Sequence, residues 1–167
     1  LDDTGDFEVL DSSGSTTATY DSFEQAVANA GTDQTVVVSS GEFDEVNRQP
    51  VSITSGLTSA TIGAANVTIS GQGAGDSVIV SGAGGNPIIN EGNNYNKLTV
   101  EDVTLEGDDG VAQATKAIEF GNSDLVNVTN VELLNVSSKA IDVGNVGNLY
   151  ISSVDIDDFD SSSDYDG

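Results

Sequence analysis

Three stretches of this chain alternate apolar and polar positions in the same order: KLTVEDVTLEG (97–107), LVNVTNVELLN (125–135) and NLYISSVDIDD (148–158). Superposing Val100, Val128 and Ile151 also superposes Val103, Val131 and Val154, then Leu105, Leu133 and Ile156, at steps of 28 and 23 residues. A second series runs in phase. AIEFGN (117–122) returns as AIDVGN (140–145), and a Gly-Asn pair stands at 92–93, 121–122 and 144–145. Repeats of this length, each holding short period-2 alternations broken by turn residues, predict a solenoid.

Between the alternations there is Gly, Asn, Asp and Ser but no helical pattern, so each repeat is strand and turn alone. That combination predicts an all-β fold, a parallel β-helix of about five coils in which each strand pairs with its equivalent one coil on, about 4.8 Å along the axis. The crossover rule makes it right-handed. Gly-Asn suits the recurring corner, because both residues tolerate positive φ and stacked Asn side chains hydrogen-bond from coil to coil.

Read in order, Leu1 to Gly5 is a polar lead-in, Phe7 to Leu10 a strand, and Asp11 to Thr19 a Ser/Thr/Gly-rich turn. The one predicted helix spans about 22–30, with Asp21 or Ser22 as N-cap, Glu24 or Gln25 closing a capping box, an apolar stripe of Phe23, Ala26, Val27 and Ala30, and Gly31 as the stop. It is placed to cap the first coil. Strands follow at Thr35–Val38, around Phe43, at Val51/Ile53, at Ala60–Ile62, at Val67/Ile69 and at Val78/Val80, the last two flanking the turn GQGAGD. The expected organisation is a single domain over 1–167: strand and capping helix in 1–34, coils in 35–159, an acidic tail in 160–167.

Composition narrows the partners. The chain of 167 residues has 28 acidic and 4 basic residues and a net charge of −24, which opposes binding to nucleic acid or an anionic membrane. Such self-repulsion is relieved in molar salt, where the Debye length falls to about 3 Å, so a secreted or cell-surface protein of a halophile is expected. Cys, His, Met and Trp are absent, which removes disulfides, Cys or His nucleophiles and histidine-ligated metals. Without methionine the chain has no initiator of its own, and residues upstream of Leu1 are expected to have been removed or not included. No aliphatic run is long enough to span a bilayer. Three sequons mark Asn66, Asn127 and Asn135 as candidate glycan sites, with Asn127 facing outward between Val126 and Val128.

The order SSGSTTATYDSFEQAVANA (12–30), VVVSSGEFDEV (36–46) and VTISGQGAGDSVIVSG (67–82) resembles the opening half of the pectin methylesterases, a right-handed β-helix family within the wider pectin lyase-like group. The resemblance covers about residues 7–135 and implies the fold. It does not carry the chemistry over. Lys116 of KAIEF stands where that family has the first glutamine of Gln-Ala-Val-Ala-Leu, and Ser137, Ser138, Lys139 and Ala140 stand where it has Gln-Asp-Thr-Leu. The family's second aspartate would fall within Asp158 to Ser161, and the one arginine, Arg48, comes too early to match. A serine cannot serve as the aspartate's nucleophile or general acid. A calcium-dependent lyase would need a basic residue beside acidic ligands; Lys139 with Asp142 and Glu119 is the nearest grouping, and it reads as surface charge pairing. No catalytic residue is assigned.

The C-terminal stretch holds six aspartates, Asp155, Asp157, Asp158, Asp160, Asp164 and Asp166. They are candidate calcium ligands, and a solvated acidic terminus explains them equally well; no other cofactor is expected. A solenoid's last coil exposes backbone groups and interior side chains unless a cap covers them. The expected role is therefore a non-enzymatic structural subunit joined end to end with copies of itself into a filament or surface assembly. Its expected contacts are Phe7, Val9 and Leu10 at one end and Leu149, Ile151, Val154, Ile156 and Phe159 at the other. A carbohydrate-active or carbohydrate-binding β-helix and an adhesin are the competing classes; the four tyrosines, Tyr20, Tyr95, Tyr150 and Tyr165, are too scattered to form a stacked aromatic platform.

Overall fold

A strand of 19 residues run straight would reach about 63 Å, so two such strands in a chain of 167 residues have to bend. They do, in the computed structural model, which describes residues 7–39, 41–44, 60–81, 86–91, 95–107 and 114–157. The protein is mostly β, with one short helix. Its elements are β1 (Phe7–Leu10), β2 (Thr16–Tyr20), α1 (Phe23–Asn29), β3 (Thr35–Val38), β4 (Gly41–Asp44), β5 (Ala60–Ile62), β6 (Val67–Ser70), β7 (Ser77–Ser81), β8 (Pro87–Glu91), β9 (Tyr95–Gly107), β10 (Lys116–Leu134) and β11 (Lys139–Asp157). The eleven strands form one curled sheet.

The pairing sorts the strands into three rows. The first runs β2, β1, β3, β6, then the early part of β9, the middle of β10 and of β11. The second holds β4, β7 and the late parts of β9, β10 and β11. The third holds β5, β8 and the early parts of β10 and β11. All pairs are parallel except those of β1. The superpositions read from the sequence are the observed registers: Val100 pairs with Val128 and Val128 with Ile151, Leu105 with Leu133 and Leu133 with Ile156.

Side chains of one parity in each row build the core. Val36, Ile69, Val100 and Val128 stack in one column and Ile79, Leu105 and Leu133 in another, all fully buried. In β7 the inward residues are Ser77 and Ile79, not Val78 and Val80. All of 78–80 is apolar, so hydropathy cannot set the parity; Ser77 does, its hydroxyl donating to the Val38 and Ser39 carbonyls, each at 3.0 Å, and accepting the Gln72 N–H at 2.9 Å.

The bends also differ from expectation. Positive φ falls at Asp102, Asn130 and Ser153 (57°, 51° and 52°), the same position of the three repeats, and again at Asp33, Asn66 and Asn135. Gly121 and Gly144, expected at left-handed corners, do not have positive φ; Gly144 is instead required by close approach, since a Cβ there would run into the Gly121 carbonyl oxygen, while one on Gly121 would meet the Glu91 carbonyl oxygen at 3.1 Å. The neighbouring asparagines do form a ladder, Asn145 Nδ2 donating to Asn122 Oδ1 at 3.1 Å.

At the N-terminal end Thr16–Tyr20, expected as part of a turn, is a strand. Its alternation places Ala18 opposite Val9 and Tyr20 opposite Phe7 in an antiparallel pair, and the intervening turn is tied by Asp11 Oδ1, which accepts from the Ser13 and Ser15 N–H groups at 2.9 and 3.0 Å. Ser22 caps α1, accepting the Gln25 N–H at 3.4 Å. Phe23, Ala26 and Val27 are buried, α1 lies against β5, and the Phe23 ring stands 5.7 Å from that of Phe7. The helix ends at Ala30 in an extended conformation; the Gly31 N–H donates to Gln34 Oε1 at 2.6 Å. The expected strand at Val51/Ile53, the Gly-Asn pair at 92–93, Arg48 and the tail from Asp158 onward lie outside the described residues.

Candidate functional site

Each core column ends at β11. β10 lies along one edge of this strand through all three rows, and among the described residues no strand pairs with its other edge. One layer below, Phe120, Val126, Val128 and Leu133 are buried; their partners Val143, Leu149, Ile151 and Ile156 are 38%, 40%, 49% and 48% exposed. Val154 and Ile141 are half-buried against the core. The side chains have the same chemistry in both layers, so the exposure comes from the missing neighbour above. Covering these four aliphatic side chains would contribute on the order of 3–5 kcal/mol.

Natural edge strands are blunted by proline, lysine or a bulge. From Ala140 to Asp157 β11 has neither proline nor lysine. The charges of the whole strand are Lys139 at its start, Asp142, Asp155 and Asp157.

Two lysines stand on the third row, where register places Lys116 beside Lys139 and Glu119 beside Asp142. Lys116 Nζ lies 2.6 Å from Asp142 and 2.8 Å from Glu119, and Lys139 Nζ lies 2.9 Å from Asp142. The hydrogen bond from Lys116, then that from Lys139, holds the Asp142 carboxyl below its ordinary value, and Asp142, then Glu119, raises the Lys116 ammonium above its own. The raised Lys116 ammonium stays charged at neutral pH, the opposite of what proton abstraction requires. The group acts as a charge-pair lattice between layers.

Sequence reasoning missed Glu91. It occupies the inward column of Ile62 and Phe120, is buried, and accepts from the Ser123 hydroxyl and from the Gly121 N–H at 3.2 Å. A glutamate at an inward position of PIINE was the available signal. Its carboxylate secures the bend that β10 makes at Gly121.

The other predicted residues are dispersed. Phe7 and Val9 are fully buried and Leu10 is half-buried, so the N-terminal contact expected there is not an exposed surface: β2 and α1 cover it. Asp155 and Asp157 sit exposed on β11 with Asp155 beside Glu132, whose carboxylate already accepts from Thr104 Oγ1 at 2.8 Å; no group of three acidic side chains able to hold a metal occurs among the described residues. Asp158, Phe159, Asp160, Asp164 and Asp166 lie outside them. Of the sequons, Asn66 Nδ2 donates to Asp33 Oδ1 and Asn135 Nδ2 to Glu106 Oε1, each at 2.8 Å, which uses one of the two hydrogens on each amide nitrogen. Asn127 is half-buried on the outward parity, in the column of Thr99 and Tyr150. Among the described residues no helix is long and apolar enough to cross a membrane. No protein-family model, curated protein or solved structure matches this chain.

Proposed function

We propose that this chain is a right-handed parallel β-helix serving as a non-enzymatic structural subunit, and that it assembles by accepting a further strand layer from a second copy on the open edge of β11. The carrying observation is that Phe120, Val126, Val128 and Leu133 are buried on β10 while their partners Val143, Leu149, Ile151 and Ile156 on β11 are 38–49% exposed. In-register parallel pairing of residues 23, 28 and 31 positions apart, as in Val128 with Ile151, Val100 with Val128 and Ile69 with Val100, supports the helical path. A contact between unlike ends does not close on itself and yields filaments.

The net charge of −24 supports a secreted or surface location in a saline medium, where screening lets such copies approach. Sedimentation velocity in molar sodium chloride over a hundredfold range of protein concentration, with electron microscopy of the same samples, tests the reading. Species growing with concentration, and lost in Ile151→Asp without loss of the β-sheet circular dichroism signal, are expected. A monomer under all conditions would sink it.

A further inference from the structure

The strand at the opposite edge of the first row has the polarity and surface to meet β11. β1 runs antiparallel to both β3 and β2, so β2 runs in the same direction as β3, β6, β9, β10 and β11. Among the described residues β2 and β11 therefore bound the same row at its two ends and point the same way. Their alternation is also in phase. Following the paired residues Ala18, Val9, Val36, Ile69, Val100, Val128 and Ile151 puts Ala18 and Ile151 in one inward column; Thr19, Glu8, Val37, Ser70, Glu101, Thr129 and Ser152 form the adjoining outward column.

Charge distinguishes this pair of segments from the rest of the ends. In a chain of net charge −24, TTATY of β2 (16–20) and NLYISS of β11 (148–153) carry no ionisable acid or base apart from the tyrosine hydroxyls. The end of the second row on β11, VDID (154–157), carries two aspartates, and the end of the third, KAIDV (139–143), is committed to the lysine–aspartate lattice. Two edges without charge approach with the least repulsion, and the partly buried Ala18 of β2 is the apolar counterpart to Ile151, with Thr16 falling opposite Leu149 and Tyr20 opposite Ser153.

We propose that β2 of a second copy covers the first row of β11, parallel and in register, with Ala18 stacked on Ile151. This rests on the assembly reading above and names the partner surface within it. Each copy then adds seven strand layers to a continuous row, which at about 4.8 Å per layer gives an axial rise of roughly 34 Å.

The chain has no cysteine, so introduced thiols report without background. Thr19→Cys and Ser152→Cys lie at exposed outward positions. Across the proposed contact their Cα atoms would stand about 4.8 Å apart, inside the disulfide range. The two variants mixed in molar salt with oxidised glutathione should give a disulfide-linked dimer that neither gives alone, and filaments should show the axial rise above. A Ser152→Cys dimer formed alone would mean that β11 edges meet about a two-fold axis, and assembly with no cross-link in the mixture would mean that another strand covers β11. Either result overturns the β2 assignment and leaves the assembly reading standing. Absence of assembly in the unsubstituted protein would remove both.

Discussion

Asn130 donates its side-chain amide to the Asp102 carboxylate at 2.7 Å, and both residues hold positive φ at the same point of successive repeats. The pair turns the chain from the first row into the second while linking one layer to the next. Left-handed backbone costs an ordinary L-residue about 1–2 kcal/mol, and asparagine less because its short side chain bonds locally. Asn130→Ala should lose about 1–2 kcal/mol in urea unfolding, and Asn130→Gly less than half of that. Equal losses would mean that the hydrogen bond, rather than the backbone, is what matters.

Glycines close to a neighbouring layer should respond by position. A Cβ on Gly107 would collide with the Asn135 carbonyl oxygen, whereas one on Gly63 would meet only the Ala28 carbonyl at 3.4 Å. Gly107→Ala should destabilise by about 1–3 kcal/mol through overpacking. Gly63→Ala should be neutral or stabilise by about 0.4–1 kcal/mol, because it restricts the unfolded chain. Thermal midpoints of the two variants check the ordering.

Two buried hydroxyls should behave oppositely. Ser123 donates to the buried Glu91 side chain, so Ser123→Ala strips a hydrogen-bond partner from a buried polar group and should cost about 1–3 kcal/mol. Thr99 is buried with its hydroxyl unpartnered among the described residues. Thr99→Val keeps the shape and removes the unmet donor, and should stabilise by up to about 1 kcal/mol. Denaturant midpoints of both variants at pH 7 decide the matter.

The lysine–aspartate lattice predicts a pH dependence of known sign. Asp142 titrates below its unfolded value, so its contribution is present above about pH 4 and is lost as pH falls through the lower folded value. Lys116 titrates above its unfolded value; its contribution is full below about pH 10 and is lost as pH rises through the raised one. Asp142→Asn should flatten the acid limb of the stability profile relative to the unsubstituted protein. Both groups are partly solvated, so the effect should shrink in molar salt. Unfolding free energies from pH 2 to 11 at two salt concentrations test it.

The register between β9, β10 and β11 was legible because period-2 alternation, repeated three times with one apolar parity, admits a single superposition. Much of the candidate edge followed from it: Leu149, Ile151 and Ile156 are the last members of columns visible in the sequence. Val143 belongs with them and was hidden because AIDVGN reads first as a corner. β2 was not legible, since Thr16–Tyr20 follows a Ser/Thr/Gly run whose composition signals a turn; only pairing with Phe7 and Val9 gives its Ala18 and Tyr20 an inward side. The parity of 77–80 and the inward Glu91 were lost for a shared reason. A buried polar group is placed by hydrogen bonds from residues distant in sequence, Val38 in one case and Ser123 in the other, and local hydropathy carries no trace of them.

The unequal steps between layers mark where length is cheap. Gly107 and Lys116 are separated by eight residues, yet their partners Asn135 and Lys139 are separated by three. The shorter path already joins the second row to the third, which makes the longer junction spare cord. Ala114 is fully buried, and its carbonyl and that of Thr115 accept the Ser137 and Lys139 N–H groups, so foreign peptide spliced ahead of Ala114 would lengthen the junction without entering the paired layers, and in the proposed polymer it would recur once per copy.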